Sequence, residues 1–317
     1  MRIKLFGHAG GDQPLQAIAL LLLATLVLSL QDALMKLMAT ETSFWQIQTL
    51  RSTGNIIIAI GLAAVSGGLY LLKPRNHSGV FLRAIFLALT MFFFFSGAPY
   101  LSVSEMAAGL YTYPVFICLL AKPILGESVG RWRVASIILG AAGAILVLSP
   151  WREDYTAVQL LPLTGGFFFA CNVLTLRKAC RQESTLALAF VAAWIFLAIG
   201  LLGSTLLTLY PLSAQATTAA PYVAVGWPQL TGLIAGFAVI ASVLNLTGNI
   251  CLTRAYQTAD ASLLAPLDFS YLVFAAAWGK GIFGHWPETH TLSGMLLIVC
   301  AGITITWREQ RRARSQD

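Results

Sequence analysis

The sequence predicts an all-α integral membrane protein of ten transmembrane helices, arranged as two inverted five-helix repeats. Three observations predict this fold class. The composition is too apolar for a water-soluble domain, the basic residues cluster in alternate gaps between apolar runs, and one sequence pattern occurs once in each half.

The composition places most of the chain inside a bilayer. Of 317 residues, 57% are hydrophobic and 10% are charged, whereas about a quarter of an ordinary soluble domain is charged. Mean hydropathy is +0.76. Apolar runs of about twenty residues, the length that crosses a hydrocarbon core, follow one another along the chain. The first run contains Asp32 and Lys36 and lacks a convincing cleavage site, so we expect a retained helix after a cytoplasmic segment, residues 1–15.

The predicted spans are separated by short gaps, except for an uncharged stretch at 211–227. They cover residues 16–37, 45–68, 80–100, 105–124, 130–149, 158–177, 186–209, 228–252, 260–283 and 291–308. The first repeat is therefore predicted over 16–149 and the second over 158–308, followed by a basic cytoplasmic tail, 309–317.

The basic residues indicate the topology. Sixteen of the 20 lie in alternate gaps or at the span ends beside them: Arg2, Lys4, Lys73, Arg75, Arg83, Lys122, Arg131, Arg133, Arg177, Lys178, Arg181, Arg254, Arg308, Arg311, Arg312 and Arg314. Cytoplasmic loops carry the excess of Lys and Arg, which predicts both termini in the cytoplasm and an even number of spans. The net charge of +7 therefore reflects basic residues spread over the predicted cytoplasmic side, and these do not form a single basic patch that would bind nucleic acid. Trp45, Tyr222 and Trp227 are expected at the outer headgroup level, where amphipathic rings concentrate.

Two matches between the halves indicate a duplication. Lys36-x4-Glu41-Thr42 corresponds to Lys178-x4-Glu183-Ser184, and YPVFICLLAKPILG, residues 113–126, aligns with YLVFAAAWGKGIFG, residues 271–284, at six of fourteen positions. Because five is odd, the second copy enters the membrane from the opposite side. Inverted repeats of this kind are typical of secondary transporters, which hold their substrate near the midplane between the repeats.

The matched segments also resemble a known family. Residues 114–127, the segment APLDFSYLVFAAAWGKGIFGHWPE at 265–288, and Arg51 in QIQTLRS are similar to the drug/metabolite transporter superfamily with paired EamA domains. The resemblance extends from about residue 16 to 307 and departs at His285, where the family more often has an acidic residue. It implies a multi-pass transporter of a small organic metabolite in the bacterial inner membrane, acting by alternating access without a cofactor. It favours uptake of a solute such as riboflavin or S-adenosylmethionine, the alternative being export of amino acids, amines or drugs.

Ionisable groups inside the bilayer indicate where a site could lie, since each costs about 2.5–3.5 kcal/mol or more at the centre of a span. Asp32 and Lys36 either face the substrate or form an i,i+4 ion pair on span one. Arg51 either holds an anionic group, pairs with Asp32 or Glu41, or extends to the interface. Asp268 either titrates or binds a cation beside the helix break expected at Pro266, or pairs with Arg254.

Uncharged polar and aromatic side chains complete the predicted cavity. Asn172, Asn245 and Asn249 either line it or tie helices together by hydrogen bonds. Tyr111, Tyr113, Tyr271 and Trp278 either stack on a flat ligand or pack in the interior. Pro114 and Pro266 are expected to kink spans four and nine.

Other functions find less support in the sequence. The four histidines, His8, His77, His285 and His290, are predicted outside the membrane core, and no HExxH, GxSxG or P-loop occurs. We therefore expect neither a membrane-embedded enzyme nor an ATP-driven pump, and no metal or cofactor. The five cysteines form no CxxC and are expected as free thiols. Small-residue faces, Gly232-x3-Gly236 and Ser136-x3-Gly140-x3-Ala144, allow close helix packing within one chain or in a homodimer. The expected partners are a small-molecule substrate and membrane lipid.

Overall fold

The computed structural model describes residues 14–125, 131–151, 153, 155–180, 182–258, 264 and 267–313. The predicted basic segment up to residue 13, Arg152, Pro266 and the last four residues lie outside this part of the chain. All regular structure in the described residues is helical, and no strand occurs among them, which confirms the all-α prediction.

Thirteen α-helices are described. They are α1 (Pro14–Met38), α2 (Phe44–Ser66), α3 (His77–Ser96), α4 (Val103–Leu110), α5 (Tyr113–Leu125), α6 (Arg131–Leu148), α7 (Leu160–Ala179), α8 (Thr185–Leu209), α9 (Ala214–Ala219), α10 (Pro221–Ala224), α11 (Gly232–Thr258), α12 (Ser270–Phe283) and α13 (Thr289–Ala313). Short 3-10 turns, Leu69–Leu72 and Ala157–Gln159, precede α3 and α7.

Six stretches in the described residues are long and apolar enough to cross a membrane. They correspond to α1, α2, α3, α8, most of α11, and α7 with the turn before it. Shorter apolar stretches lie in α6 and α13. The described residues therefore contain four fewer clear spans than the ten predicted. Predicted span four is divided, the start of predicted span nine is only partly described, and α6 and α13, in predicted spans five and ten, contribute only the shorter stretches.

The helix ends follow local sequence signals. Ser43 caps α2 by accepting the N–H of Gln46, and Ser102 and Glu105 form a capping box that starts α4. Predicted span four breaks completely at Tyr111 and Thr112, so Pro114 lies in the first turn of α5, where a missing N–H costs nothing. The kink predicted at Pro114 is thus a break just before it.

Helix packing explains the arrangement of the bundle. α6 packs along α13, α3 along α7, α1 along α11, and α2 along α8. Contacts also join α1 to α12, α2 to α11, α3 to α8, α4 to α12, and α7 to both α4 and α5. α6 and α13 approach closely at Gly143 and Gly294, where a Cβ on Gly143 would stand 2.8 Å from the Gly294 carbonyl oxygen.

The stretch at 211–227 is more than a loop. It forms α9 and α10, and Tyr222 is buried at 1% exposure, with its ring centroid 6.1 Å from that of Phe44. Trp45 packs beside them and donates its indole N–H to the carbonyl of Val223 at 2.8 Å. Tyr222 and Trp45 therefore cover the start of α2, and their position at the outer headgroup level stays a prediction.

Candidate functional site

A connected set of polar side chains lies where α1, α2, α11 and α12 meet. The helix break between α4 and α5 borders it through Tyr111. Buried polar groups need hydrogen-bond partners, so such a set must be either mutually satisfied or completed by a ligand. Several of the residues that the sequence singles out belong to this set.

Asp32 is half-buried on α1, and both of its carboxylate oxygens are held. The Gln31 amide donates to Oδ1 at 2.6 Å, and the hydroxyl of Tyr271 on α12 donates to Oδ2. Lys36 turns away from Asp32. Its Nζ donates to the Ala98 carbonyl at 2.6 Å, so the i,i+4 ion pair considered for the two residues is absent from the structure.

Arg51 is buried inside the bundle, with 2% of its surface exposed. It donates to Gln48 Oε1 at 2.5 Å and to Gln31 Oε1 at 3.4 Å, and it lies 5.7 Å from the centroid of the Phe196 ring. Extension of Arg51 to the interface is therefore wrong. Direct pairing with Asp32 is also wrong, since Gln31 stands between the guanidinium and the carboxylate.

Asn245 on α11 joins the same network, whereas Asn249 does not. The Asn245 amide donates to Gln31 Oε1 at 2.7 Å, and its oxygen accepts from Asn55 Nδ2 at 3.2 Å. Asn249 is exposed and donates to the Asn245 backbone carbonyl at 2.8 Å. The pair shares a helix face, but the two side chains have different surroundings.

Asp268 lies just before a second helix break, at Phe269. The hydroxyl of Tyr113 donates to Asp268 Oδ2 at 3.1 Å, and the hydroxyl of Tyr111 donates to its backbone carbonyl at 3.2 Å. Tyr111 also stacks on Tyr271, with centroids 4.9 Å apart and planes 19° apart. The stacked tyrosines therefore connect the surroundings of Asp268 to those of Asp32.

Two other predicted residues lie outside the network. Asn172 is buried in α7, and its Oδ1 has no hydrogen-bond partner among the described residues. The indole of Trp278 is half-buried on α12 and donates to the Leu26 carbonyl at 3.4 Å, which ties α12 to α1.

Residue-level reasoning from the sequence missed Gln31, Gln48 and Asn55. All three are buried in predicted spans and hydrogen-bond to Asp32, Arg51 or Asn245. A search for uncharged amides three to four residues from an intramembrane charge would have found Gln48 and Asn55, since these lie on the same helix face as Arg51.

The chemistry of this network suits binding. Within the described residues, no group of three or more His, Cys, Asp and Glu side chains could hold a metal ion. The described cysteines, Cys171, Cys180, Cys251 and Cys300, are free thiols. The network offers an acid, a buried cation, several amides and two stacked tyrosine rings, which are groups that can hold a polar organic molecule.

Comparisons with known proteins agree with a membrane carrier. Residues 15–149 match the EamA-like transporter family. A riboflavin transporter of Rhizobium johnstonii is 27% identical over 232 residues, which cover 73% of this chain and 71% of that protein. A pseudopaline exporter of Pseudomonas aeruginosa is 23% identical, covering 91% of this chain and 95% of its own.

Two further comparisons extend over almost the whole chain. An S-adenosylmethionine uptake transporter of Rickettsia bellii is 23% identical, covering 92% of this chain and 93% of its own. A solved crystal structure aligns with 94% of this chain and 99% of its own chain, with a TM-score of 0.60 and 18% sequence identity. That structural match supports the fold alone.

Proposed function

Since the chain is a transporter of the drug/metabolite superfamily with an EamA-like domain over residues 15–149, we propose that it moves a small organic metabolite across the cytoplasmic membrane by alternating access. The observation that carries this proposal is the network around Asp32 and Arg51, buried between long apolar helices. Charged groups are kept at such depth where they serve a substrate or ion pathway.

The pattern of helix packing supports ten spans in two inverted repeats. In this proposal, the first repeat comprises α1, α2, α3, α4–α5 and α6, and their counterparts in the second repeat are, in the same order, α7, α8, α11, α12 and α13. Exchanging the repeats turns the α1–α11 contact into α7–α3, the α2–α11 contact into α8–α3, and the α1–α12 contact into α7 against α4–α5, all of which occur. The α2–α8, α4–α12 and α6–α13 contacts map onto themselves.

Individual contacts follow the same exchange. Lys178, at the end of α7, donates to the Ile124 carbonyl near the end of α5 at 3.1 Å, and Lys36, near the end of α1, lies 5.3 Å from the ring centroid of Phe283 at the end of α12. The α4–α5 break at Tyr111 corresponds to the second break at Phe269. A carrier built this way has an equivalent gate at each face.

The direction of transport and the orientation are further parts of the proposal. The excess of Lys and Arg in alternate gaps favours cytoplasmic termini in a bacterial inner membrane. Uptake of a vitamin- or nucleoside-like solute is favoured, because relatives are named as riboflavin and S-adenosylmethionine transporters. Export is the second candidate, since a relative of similar coverage is named as a pseudopaline exporter. The proposed step is translocation without chemical conversion of the solute.

We propose that membrane lipid surrounds the bundle and that two copies of the chain form a homodimer. A Cβ added at Gly232 or Gly236 on α11 would meet no atom within 4 Å, so this face leaves room for a second copy. In contrast, Gly140 on the other small-residue face packs against Val115 of α5.

Counterflow in liposomes tests the transport proposal. Purified protein is reconstituted with internal unlabelled riboflavin, S-adenosylmethionine or an amino acid, and the same labelled compound is added outside. Transient accumulation of label with one of these solutes is expected, because exchange needs only a cycling carrier. No exchange with any of them, from protein that elutes as a single folded species, would count against the uptake proposal.

A further inference from the structure

One face of α2 gathers buried polar side chains. Gln48, Arg51, Ser52 and Asn55 follow the spacing of a single helix face, and each is less than 9% exposed. Such a face on a membrane helix is costly when it meets only apolar neighbours.

Each of these four side chains has a polar atom without a hydrogen-bond partner among the described residues. The atoms are Gln48 Nε2, Arg51 Nε, Ser52 Oγ and Asn55 Oδ1. The hydroxyl of Tyr222 on α10, on which the positive charge of Arg51 acts, is likewise buried without a partner among the described residues. A buried donor or acceptor left unpaired is unfavourable, so a cluster of five such atoms favours a site that a ligand completes.

The open groups favour an anion. Gln48 Nε2 and Arg51 Nε donate, and the hydroxyls of Ser52 and Tyr222 can donate, whereas Asn55 Oδ1 is the one acceptor among the five open atoms. Burial raises the pKa of Tyr222, which keeps its hydroxyl protonated. The acid whose charge acts on Arg51 is Asp32, and the Gln31 amide separates the two. The Arg51 charge is therefore balanced only at a distance.

We infer that the buried face of α2 is an anion subsite for a carboxylate of the transported solute, and that Asp32 beyond Gln31 takes an ammonium group of the same molecule. This inference rests on the proposed transport function and narrows its substrate class to solutes that carry both charges. The stacked rings of Tyr111 and Tyr271, in contact with Asp32 through the Tyr271 hydroxyl, provide a surface for a flat part of the solute.

Binding to protein in lipid nanodiscs tests the subsite without requiring translocation. Two ligand pairs differ only in the carboxylate: S-adenosylmethionine with its decarboxylated form, and tryptophan with tryptamine. For at least one pair, we expect the acid to bind the wild type at least about tenfold more tightly, since a hydrogen bond to a charged group is stronger than one between neutral groups. Arg51→Gln should remove this difference, and Arg51→Lys should restore part of it.

Arg83→Gln is the control, because Arg83 is a partly buried arginine whose Nε also lacks a hydrogen-bond partner among the described residues, but it lies near Cys180, away from the network. It should keep the preference for the acid. The inference is overturned if neither acid binds more tightly than its decarboxylated partner, or if folded Arg51→Gln retains the preference. Chloride-dependent binding that ignores the carboxylate would also overturn it, by assigning the subsite to an inorganic anion. Riboflavin transport that is unaffected by Arg51→Gln would refute this subsite while leaving the transporter proposal intact.

Discussion

Asn245 and Asn249 lie one helical turn apart on α11 and have different partners. Asn245→Ala removes the amide that joins α11 to Gln31 on α1 and to Asn55 on α2. Interhelical hydrogen bonds in membranes contribute about 0.6–2 kcal/mol, so we expect counterflow to fall at least about threefold. Asn249→Ala, assayed on protein from the same preparation scheme, should have a clearly smaller effect. Equal losses in both variants would contradict the assignment of Asn245 to the network.

Asp268 gives a second prediction at the scale of single residues. Asp268→Asn removes the negative charge of the carboxylate to which the Tyr113 hydroxyl donates, beside the second helix break. We expect transport to be abolished or uncoupled from a proton gradient while membrane insertion is retained, because the amide can accept the same hydrogen bond but cannot change charge. Uptake measured with and without an imposed pH difference distinguishes these outcomes. Near-normal transport that still responds to the gradient would exclude Asp268 from the mechanism.

The sequence allowed candidate site residues to be selected where they carry a charge, and less well where they do not. Asp32, Arg51 and Asp268 could be selected because ionisable groups inside a bilayer are expensive. The surroundings of Lys36 and Asn249 depend on how α1 and α11 rotate against their neighbours, which hydrophobic periodicity along a uniformly apolar helix does not determine. Gln31 was missed because an uncharged amide carries a weaker signal than a charge.

At the scale of secondary-structure elements, the contact between α6 and α13 gives a sharp prediction. Gly143→Ala would place a Cβ 2.8 Å from the Gly294 backbone oxygen. Although alanine favours helix by about 1 kcal/mol over glycine, overpacking costs typically 1–3 kcal/mol. We therefore expect a lower melting temperature in detergent.

Gly236→Ala is the control for that experiment, since its Cβ would meet nothing within 4 Å. It should leave the melting temperature unchanged or raise it. If Gly143→Ala were as stable as Gly236→Ala, the close approach of α6 and α13 would be wrong. A change in oligomeric state with Gly236→Ala, measured by light scattering, would assign that face to a dimer contact.

Element positions were largely readable from hydropathy, because twenty apolar residues have few alternatives to a helix in lipid. The division of predicted span four at Tyr111 was only partly signalled by Pro114, since proline restricts the residue before it without fixing where the preceding helix ends. The short helices α9 and α10 were not predicted, because their sequences lack a hydrophobic periodicity. Tyr222 on α10 is buried by tertiary contact with Phe44, which no local pattern encodes.

At the scale of the whole molecule, the inverted arrangement predicts sidedness. A reporter fused to either terminus should be active in the cytoplasm, whereas a single engineered cysteine at Thr218, exposed on α9, should react with a membrane-impermeant reagent from outside. The physical reason is the retention of Lys and Arg on the cytoplasmic side. Opposite labelling of the α9 site would invert the proposed orientation, and reporters on opposite sides would exclude an even number of spans.

We propose that the buried network around Asp32 binds the solute during transport. Its most direct test is the counterflow rate of Asp32→Asn, compared with Glu41→Gln, which removes an exposed carboxylate nine residues further along the chain. With a solute that the wild type exchanges, and with all proteins folded and reconstituted in equal amounts, Asp32→Asn should lose exchange by about tenfold or more, as expected when a charged contact is removed. Glu41→Gln should retain it. Exchange by Asp32→Asn at the wild-type rate would contradict a role of this network in transport.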